Sequence, residues 1–262
     1  MIKAVFFDID GTLVSFQTHQ IPPSTRKVLQ ELQTAGVLLF IATGRDRNGL
    51  HVLDGIDFDG YITLNGQYCY TKENEVIYQN TIPKEEIQII LDELQQHTFP
   101  CGFTLKEGKV YNYRDERVEE LHRITHNDGQ PAGDVSDVVQ QDVYQIQAFL
   151  NAEEEKQLMT KMKHCTSARW YPTFCDISPL GGTKVLGMDQ FAKRFGFTMA
   201  ESMAFGDGGN DLAMLEHAGI SVAMGNSIDE LKACASYVTE DVDHDGILRA
   251  VQHYSSLFGH NI

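Results

Sequence analysis

The sequence predicts an α/β protein, a doubly wound parallel sheet that carries an inserted α+β module. Three observations predict it. Near the N-terminus, continuous apolar stretches alternate with an amphipathic helix, the pattern of strands buried on both faces. The same rhythm returns after Lys184. Between the two lies a run of short alternating strands and helices that reads as a module of its own.

Residues 3–9 are an apolar run broken by Asp8 and form the first strand. Residues 24–34 form a helix. Pro22 and Pro23 precede it, Ser24 is placed to cap it, Val28, Leu29 and Leu32 make its apolar face, and Gly36 ends it. Residues 37–43 and 61–64 are the second and third buried strands, and residues 68–70 with 76–78 read as a hairpin. Residues 84–96 are an amphipathic helix. Strands at 103–105 and 110–113, a helix at 116–124, a strand at 143–150, a helix at 153–163 and strands at 168–171 and 174–177 follow. The core rhythm resumes with a helix at 184–195, a strand at 202–205, a helix at 211–217, a strand at 220–224 and a helix at 247–257. The module edges fall near Ile82 and Pro179. Residues 1–81 and 180–262 are therefore expected to form a discontinuous core around the insert 82–179. The stretch NDGQPAGD, residues 127–134, is rich in turn formers and reads as an exposed loop.

Hydrophobic residues make up 42 % of the 262, which supports a packed core. The longest apolar runs, such as residues 37–42, are too short to span a bilayer. The N-terminus runs directly into a strand, so no signal peptide is expected. Five cysteines, an odd count without a CxxC pair, fit reduced thiols in the cytoplasm and argue against a zinc site. His122 and His126 are spaced for one face of a helix, but no third ligand is near, so they read as a solvated face. The formal net charge of −16 argues against general nucleic-acid binding. An anionic substrate would need positive charge supplied locally.

Four constellations can carry chemistry. The first strand ends in Asp8 and Asp10, followed by Gly11 and Thr12. Residues i and i+2 of a strand face one side, so the strand is expected to send both carboxylates into one pocket. Open α/β sheets bind ligands beyond the carboxyl ends of their strands. The second strand ends in Thr43, Gly44 and Arg45, a hydroxyl, a glycine and a guanidinium suited to a phosphate. Gly206-Asp207-Gly208-Gly209-Asn210-Asp211 follows a third strand, and its hard oxygen donors suit Mg²⁺. Lys184 opens a helix after a Gly-Gly turn. Each piece alone is also explained as a turn, a cap or a surface charge.

In this order the pieces resemble the haloacid dehalogenase (HAD) superfamily of phosphohydrolases, in the Cof-type branch (subfamily IIB) with a large cap of the second kind. The resemblance covers essentially the whole chain. It includes TLNG (Asn65, Gly66), MGNS (residues 224–227) and DHDGI (residues 243–247). Within the branch the chain is similar to bacterial sugar-phosphate phosphatases, through FFDIDGTLVSF, ARWYP (residues 168–172) and FGDGGND. Val185 departs from the glycine that many relatives carry after the lysine.

The resemblance implies a Rossmann-like core and a cap that closes over the site and sets specificity. It implies that Asp8 is the nucleophile, forming an aspartyl-phosphate, and that Asp10 is the acid and base. It implies Mg²⁺ on the Asp8 side chain, the Asp10 carbonyl and Asp207, supported by Asn210 and Asp211. Thr43, Gly44 and Lys184 would hold the phosphoryl oxygens. Arg45, Asn65, Arg169 and Trp170 are candidates for substrate contact. The expected partner is a small phosphorylated metabolite, with hexose phosphates favoured, for a cytoplasmic monomer or small homo-oligomer that binds neither membrane nor nucleic acid. Two alternatives stay open: a sugar phosphomutase of the same superfamily, and a phospho-accepting signalling domain.

Overall fold

The structure, a computed structural model, describes residues 1–106, 108–125 and 131–258. The chain opens with β1 (Ala4–Phe7), α1 (Pro23–Thr34), β2 (Leu38–Ala42), β3 (Gly60–Thr63), β4 (Tyr68–Thr71) and β5 (Val76–Gln79). Then come α2 (Lys84–Gln96), β6 (Cys101–Leu105), β7 (Gly108–Tyr111), α3 (Glu116–Ile124), β8 (Gln145–Ala148), α4 (Ala152–Met159), β9 (Cys165–Tyr171) and β10 (Phe174–Pro179). The last part holds α5 (Lys184–Phe195), β11 (Ser202–Gly206), α6 (Leu212–His217), β12 (Ile220–Ala223), α7 (Asp229–Cys234), β13 (Tyr237–Val238) and α8 (Gly246–His253). No described helix is long and apolar enough to cross a membrane.

The chain divides into two compact units. The first comprises Met1–Arg45, Gly49–Gln79 and the described residues from Thr183 on. Its eight-stranded sheet runs β13-β12-β11-β1-β2-β3-β4-β5, parallel from β13 to β3 and closed by the antiparallel β3-β4-β5 edge. Strand alternation explains why β1 is apolar throughout. Val5 and Phe7 face Val28, Leu29 and Leu32 of α1 and Ile247, Ala250 and Val251 of α8. Ala4 and Phe6 face the opposite layer, with Met188 and Phe191 of α5 and Met214 and Leu215 of α6. Aromatic stacking knits each layer: Phe7 lies 5.1 Å from Phe205, and Phe40 lies 4.9 Å from Phe6 and 4.8 Å from Phe191.

The second unit comprises Asn80–Gly182 together with Asp46–Asn48. Its sheet, β7-β6-β8-β10-β9, is antiparallel throughout. One face is apolar, with Cys101, Phe103, Ile146, Cys175 and Ile177 packed on Ile87 and Ile90 of α2 and Leu158 of α4. Polar residues of the sheet are linked to one another: Tyr111 Oη donates to Gln147 Oε1 (2.5 Å), and Gln147 Nε2 donates to Asp176 Oδ1 (3.2 Å).

Several local expectations need correction. Ser24 does not cap α1. Pro22 is the N-cap, Pro23 takes the first turn, where its missing N–H costs nothing, and no side-chain cap is present. The strand at the N-terminus ends at Phe7, not residue 9, because the N–H groups of Leu13 and Val14 both turn back to Ile9 O. His122 is not solvated: it is buried, with its ring 5.8 Å from that of Tyr111 and its pKa lowered chiefly by burial. His126 and residues 127–130 lie outside the described residues. The short elements α7 and β13 were not expected at all.

Gly60 in β3 shows how tightly the core is filled. A Cβ there would lie 2.6 Å from the Phe191 ring. Gly60→Ala should therefore cost about 1–3 kcal/mol of stability, read as a lowered midpoint in urea. Gly133→Ala, whose Cβ would meet Val110 at 3.4 Å, should cost less.

Candidate active site

The parallel strands β1, β2 and β11 end side by side, so the loops that follow them meet. The loop after β1 folds back at once onto Ile9 O. Gly11 within it sits at φ +75°, and a Cβ there would lie 2.1 Å from Asp207 Oδ2 and 2.5 Å from Phe16. Only glycine lets the loops after β1 and β11 close on each other.

Asp8 still continues the ladder of β1, its N–H donating to Phe205 O (3.0 Å). Its side chain meets the first residue of α5. Lys184 Nζ donates to Asp8 Oδ1 (2.7 Å) and to Asp211 Oδ1 (2.6 Å). Lys184 is 3 % exposed, Asp8 5 % and Asp211 0 %. Two features place this lysine. Thr183 caps α5 by accepting the N–H of Leu186 (3.1 Å), and Gly66, at φ +102°, leaves room for Thr183 O, which a Cβ would meet at 2.1 Å.

Asp211 does more than border the site. While Oδ1 takes the lysine, Oδ2 accepts the N–H groups of Asp207 and Gly208 (3.0 Å each). It thus shapes the turn that presents Asp207. Asn226, unmarked at the level of single residues although it lies in the MGNS motif, completes this turn. Its Nδ2 donates to Gly11 O (2.9 Å) and Asp207 Oδ2 (3.2 Å), and its Oδ1 accepts the N–H of Val242 (3.1 Å).

The loop after β2 forms the other wall. Arg45 clasps Asp10 with two bonds of 2.8 Å, Nε to Oδ2 and Nη2 to Oδ1, and Nη1 donates to Gly49 O (3.0 Å). Strand alternation therefore does not aim Asp10; the turn and Arg45 do. Thr43 Oγ1 accepts the N–H of Arg45 (3.1 Å). Asn65, at φ +53°, packs beside Gly44 and accepts from Asn210 Nδ2 (3.2 Å). Arg169 and Trp170 belong to the second unit. Arg169 is engaged there with Glu155, Leu150 O and Pro172 O. Trp170 donates to Asp176 (2.8 Å) and is 55 % exposed.

A sequence profile of the haloacid dehalogenase-like hydrolases matches residues 5–251. The chain belongs to that family. Three relatives show where it stands. "Putative phosphatase YkrA" of Bacillus subtilis strain 168 is 35 % identical over 97 % of this chain and 98 % of its own. The solved HAD subclass IIB sugar phosphatase BT4131 is 40 % identical, with a TM-score of 0.81 over 97 % of this chain and 99 % of that one. The 5-amino-6-(5-phospho-D-ribitylamino)uracil phosphatase YcsE of Bacillus subtilis is 28 % identical over 97 % of this chain and 96 % of its own. This HAD hydrolase is an enzyme of the phosphatase type.

Its site is short of positive charge. One oxygen from each of Asp8, Asp207 and Asp211 lies within 4.8 Å of the others, and Asp10 stands close by. Among the described residues, only Lys184 and Arg45 balance them through direct ion pairs. Burial, the largest effect, pushes Asp8 up to about 8; Lys184 opposes the rise, while Asp211 and Asp10 add to it. Burial likewise pushes Asp207 up to about 7, with Asp211 and Asp10 adding. Burial also opposes the charge on Lys184, but Asp8 and Asp211 hold its pKa above the ordinary lysine value. The donor set fits a hard divalent cation: carboxylate oxygens are gathered where anions repel, and Gly11 keeps the approach to Asp207 clear. Asp211, with both oxygens already engaged, positions Lys184 and Asp207.

Asp8 and Asp207 hold protons in the folded chain that the unfolded chain releases near pH 3.8. Between that value and about pH 8 the folded state binds more protons, so the metal-free fold loses stability as pH rises. In chelator, the melting temperature should fall by several degrees between about pH 5 and pH 8. Asp207→Asn, which removes one of the crowded acids, should flatten that slope. An equal slope in the variant would show that burial and the neighbouring acids do not hold Asp207 protonated in the metal-free fold.

Proposed function

We propose that this HAD phosphatase is a Mg²⁺-dependent phosphomonoester hydrolase of small phosphorylated metabolites, hexose phosphates above all, acting through an aspartyl-phosphate on Asp8. The observation that carries the reading is the buried Lys184 ammonium shared by Asp8 and Asp211. It ties up one Asp8 oxygen, and no hydrogen bond among the described residues uses Oδ2. A carboxylate held by one oxygen and open at the other is oriented for attack.

In this reading Asp8 attacks phosphorus while Asp10 protonates the departing alkoxide; Asp10 then takes a proton from the water that cleaves the acyl phosphate. Two acids are needed because one is consumed covalently while the other moves protons. Lys184, Thr43 and the open backbone at Gly44 hold the phosphoryl oxygens, and Asn65 and Asn210 brace that wall. The Asp8 and Asp207 side chains and the Asp10 carbonyl would hold Mg²⁺, supported by Asp211 and Asn210. Mg²⁺ supplies the positive charge that lets a phosphate anion approach a nest of carboxylates. The five free cysteines support a reducing, cytoplasmic setting.

The substrate class rests on the relatives. BT4131 is named a sugar phosphatase, and the YcsE substrate carries its phosphate on a ribityl chain, so both names point to polyhydroxylated leaving groups. Trp170 is the candidate for contact with such a group, since its indole is exposed. Arg169 is the weaker candidate because its guanidinium is engaged within its own unit.

Asp8→Asn keeps the shape and removes the attacking anion, so turnover should fall by several orders of magnitude with an unchanged fold. Chelation should abolish activity, Mg²⁺ should restore it, and Asp207→Asn should need far more Mg²⁺. Phosphate release measured over a panel of phosphorylated metabolites should rank hexose phosphates first, and Trp170→Ala should reorder that ranking more than it slows p-nitrophenyl phosphate. Near-normal turnover in the Asp8 variant, or full activity in chelator, would overturn the mechanism. A panel topped by another class would overturn the substrate.

A further inference from the structure

Arg45 reads, from its sequence position beside Thr43 and Gly44, as a group for the phosphate or the leaving alcohol. Its geometry says otherwise. Both Asp10 oxygens accept from one guanidinium at 2.8 Å, the planar fork matched to a carboxylate. A third bond to Gly49 O fixes the guanidinium itself, and the Arg45 N–H is held by Thr43 Oγ1. As a stabilising device the pair is minor, since the arginine side chain is 28 % exposed and the aspartate 42 %, so solvent screens it. What a two-point clasp supplies is direction. It stops rotation of a carboxylate that otherwise stands on a loop partly open to solvent.

We propose that Arg45 is the positioning residue of the acid–base carboxylate Asp10, and that its weight falls on the second half of the reaction. This rests on the two-step reading above. In the first step an Asp8 oxygen bonds to phosphorus, the ester P–O bond breaks, and the alkoxide takes the Asp10 proton. A good leaving group such as p-nitrophenolate departs without that proton. In the second step a water molecule gives a proton to Asp10 as its oxygen bonds to phosphorus. The P–O bond to Asp8 then breaks, releasing phosphate and restoring the carboxylate. Every substrate passes through this step, and every one needs an aimed base.

The test is pre-steady-state kinetics of the Mg²⁺-loaded enzyme with p-nitrophenyl phosphate. Asp10→Asn and Arg45→Met should both release a rapid burst of p-nitrophenolate, stoichiometric with enzyme, before a slow steady state. In Arg45→Met the steady state should be about 10- to 100-fold slower than in the native enzyme, with KM not raised. Arg45→Lys, which keeps the charge but not the fork, should recover part of the rate. The melting temperature should move by no more than a degree or two. A raised KM with unchanged kcat and no burst would make Arg45 a substrate ligand and overturn the proposal. So would native kinetics in Arg45→Met. A burst in Asp10→Asn but none in Arg45→Met would overturn this proposal alone; no burst in Asp10→Asn would overturn the two-step reading and the proposal with it.

Discussion

A buried lysine between two carboxylates ties the sheet of this enzyme to its helices. Lys184 bonds to Asp8 at the end of the central strand and to Asp211, the residue just before α6. Three segments far apart in sequence converge within hydrogen-bond distance of one ammonium. Removing the cation would leave two acids buried and facing each other, which costs far more than the pair contributes when intact. The rest of the core sets up this meeting. Met188 and Phe191 anchor α5 on the sheet, Thr183 caps it, and Gly66 admits the cap. The helix therefore starts where its first residue reaches the end of β1.

The same convergence explains how a chain of net charge −16 handles an anion. Overall charge sets the far field, but a phosphate meets the local field of a pocket. Here the local field is itself too negative, with several acids against Lys184 and Arg45, and the raised Asp8 and Asp207 register that excess. A divalent cation would resolve both problems together. It would relieve the carboxylates and turn a repulsive pocket into an attractive one. The acidity of the site is the reason that a metal fits it.

Much of the architecture was legible because it is periodic. The helices at 84–96 and 184–195 have the bounds the sequence suggests, and a third lies at 116–124, where one was expected nearby. The end of β1 was misread because the apolar run continues through Ile9 while the chain already turns. Pattern records burial, and a turn can be as buried as a strand. The site was legible as motifs but not as contacts. Nothing in DxDGT or TGR says that Arg45 would clasp Asp10, 35 residues away, or that Asp211 would reach Lys184, 27 residues away. The role of Asn226 within MGNS is hidden in the same way: its partners Gly11, Asp207 and Val242 are neighbours only in the fold. The i,i+4 spacing of His122 gives a helix face but not its environment, which is buried.

Arg169 and Trp170 show how far adjacent residues can diverge on one strand. Alternation sends their side chains to opposite faces of β9. The Arg169 guanidinium is absorbed by Glu155 and two carbonyl groups, so it binds strand to helix and loop. Trp170 is fixed only at its edges. Its N–H is held by Asp176, which is tied through Gln147 to Tyr111, and its ring stands at 88° against Phe174. That chain of bonds orients a large aromatic surface that remains 55 % exposed. Leaving it open forgoes hydrophobic stabilisation that a buried indole would provide. An arginine beside an aromatic residue looks, in sequence, like a ready-made ligand pair. In the fold the guanidinium is consumed by bonds within its own unit, while the indole, pinned by Asp176, keeps its surface exposed.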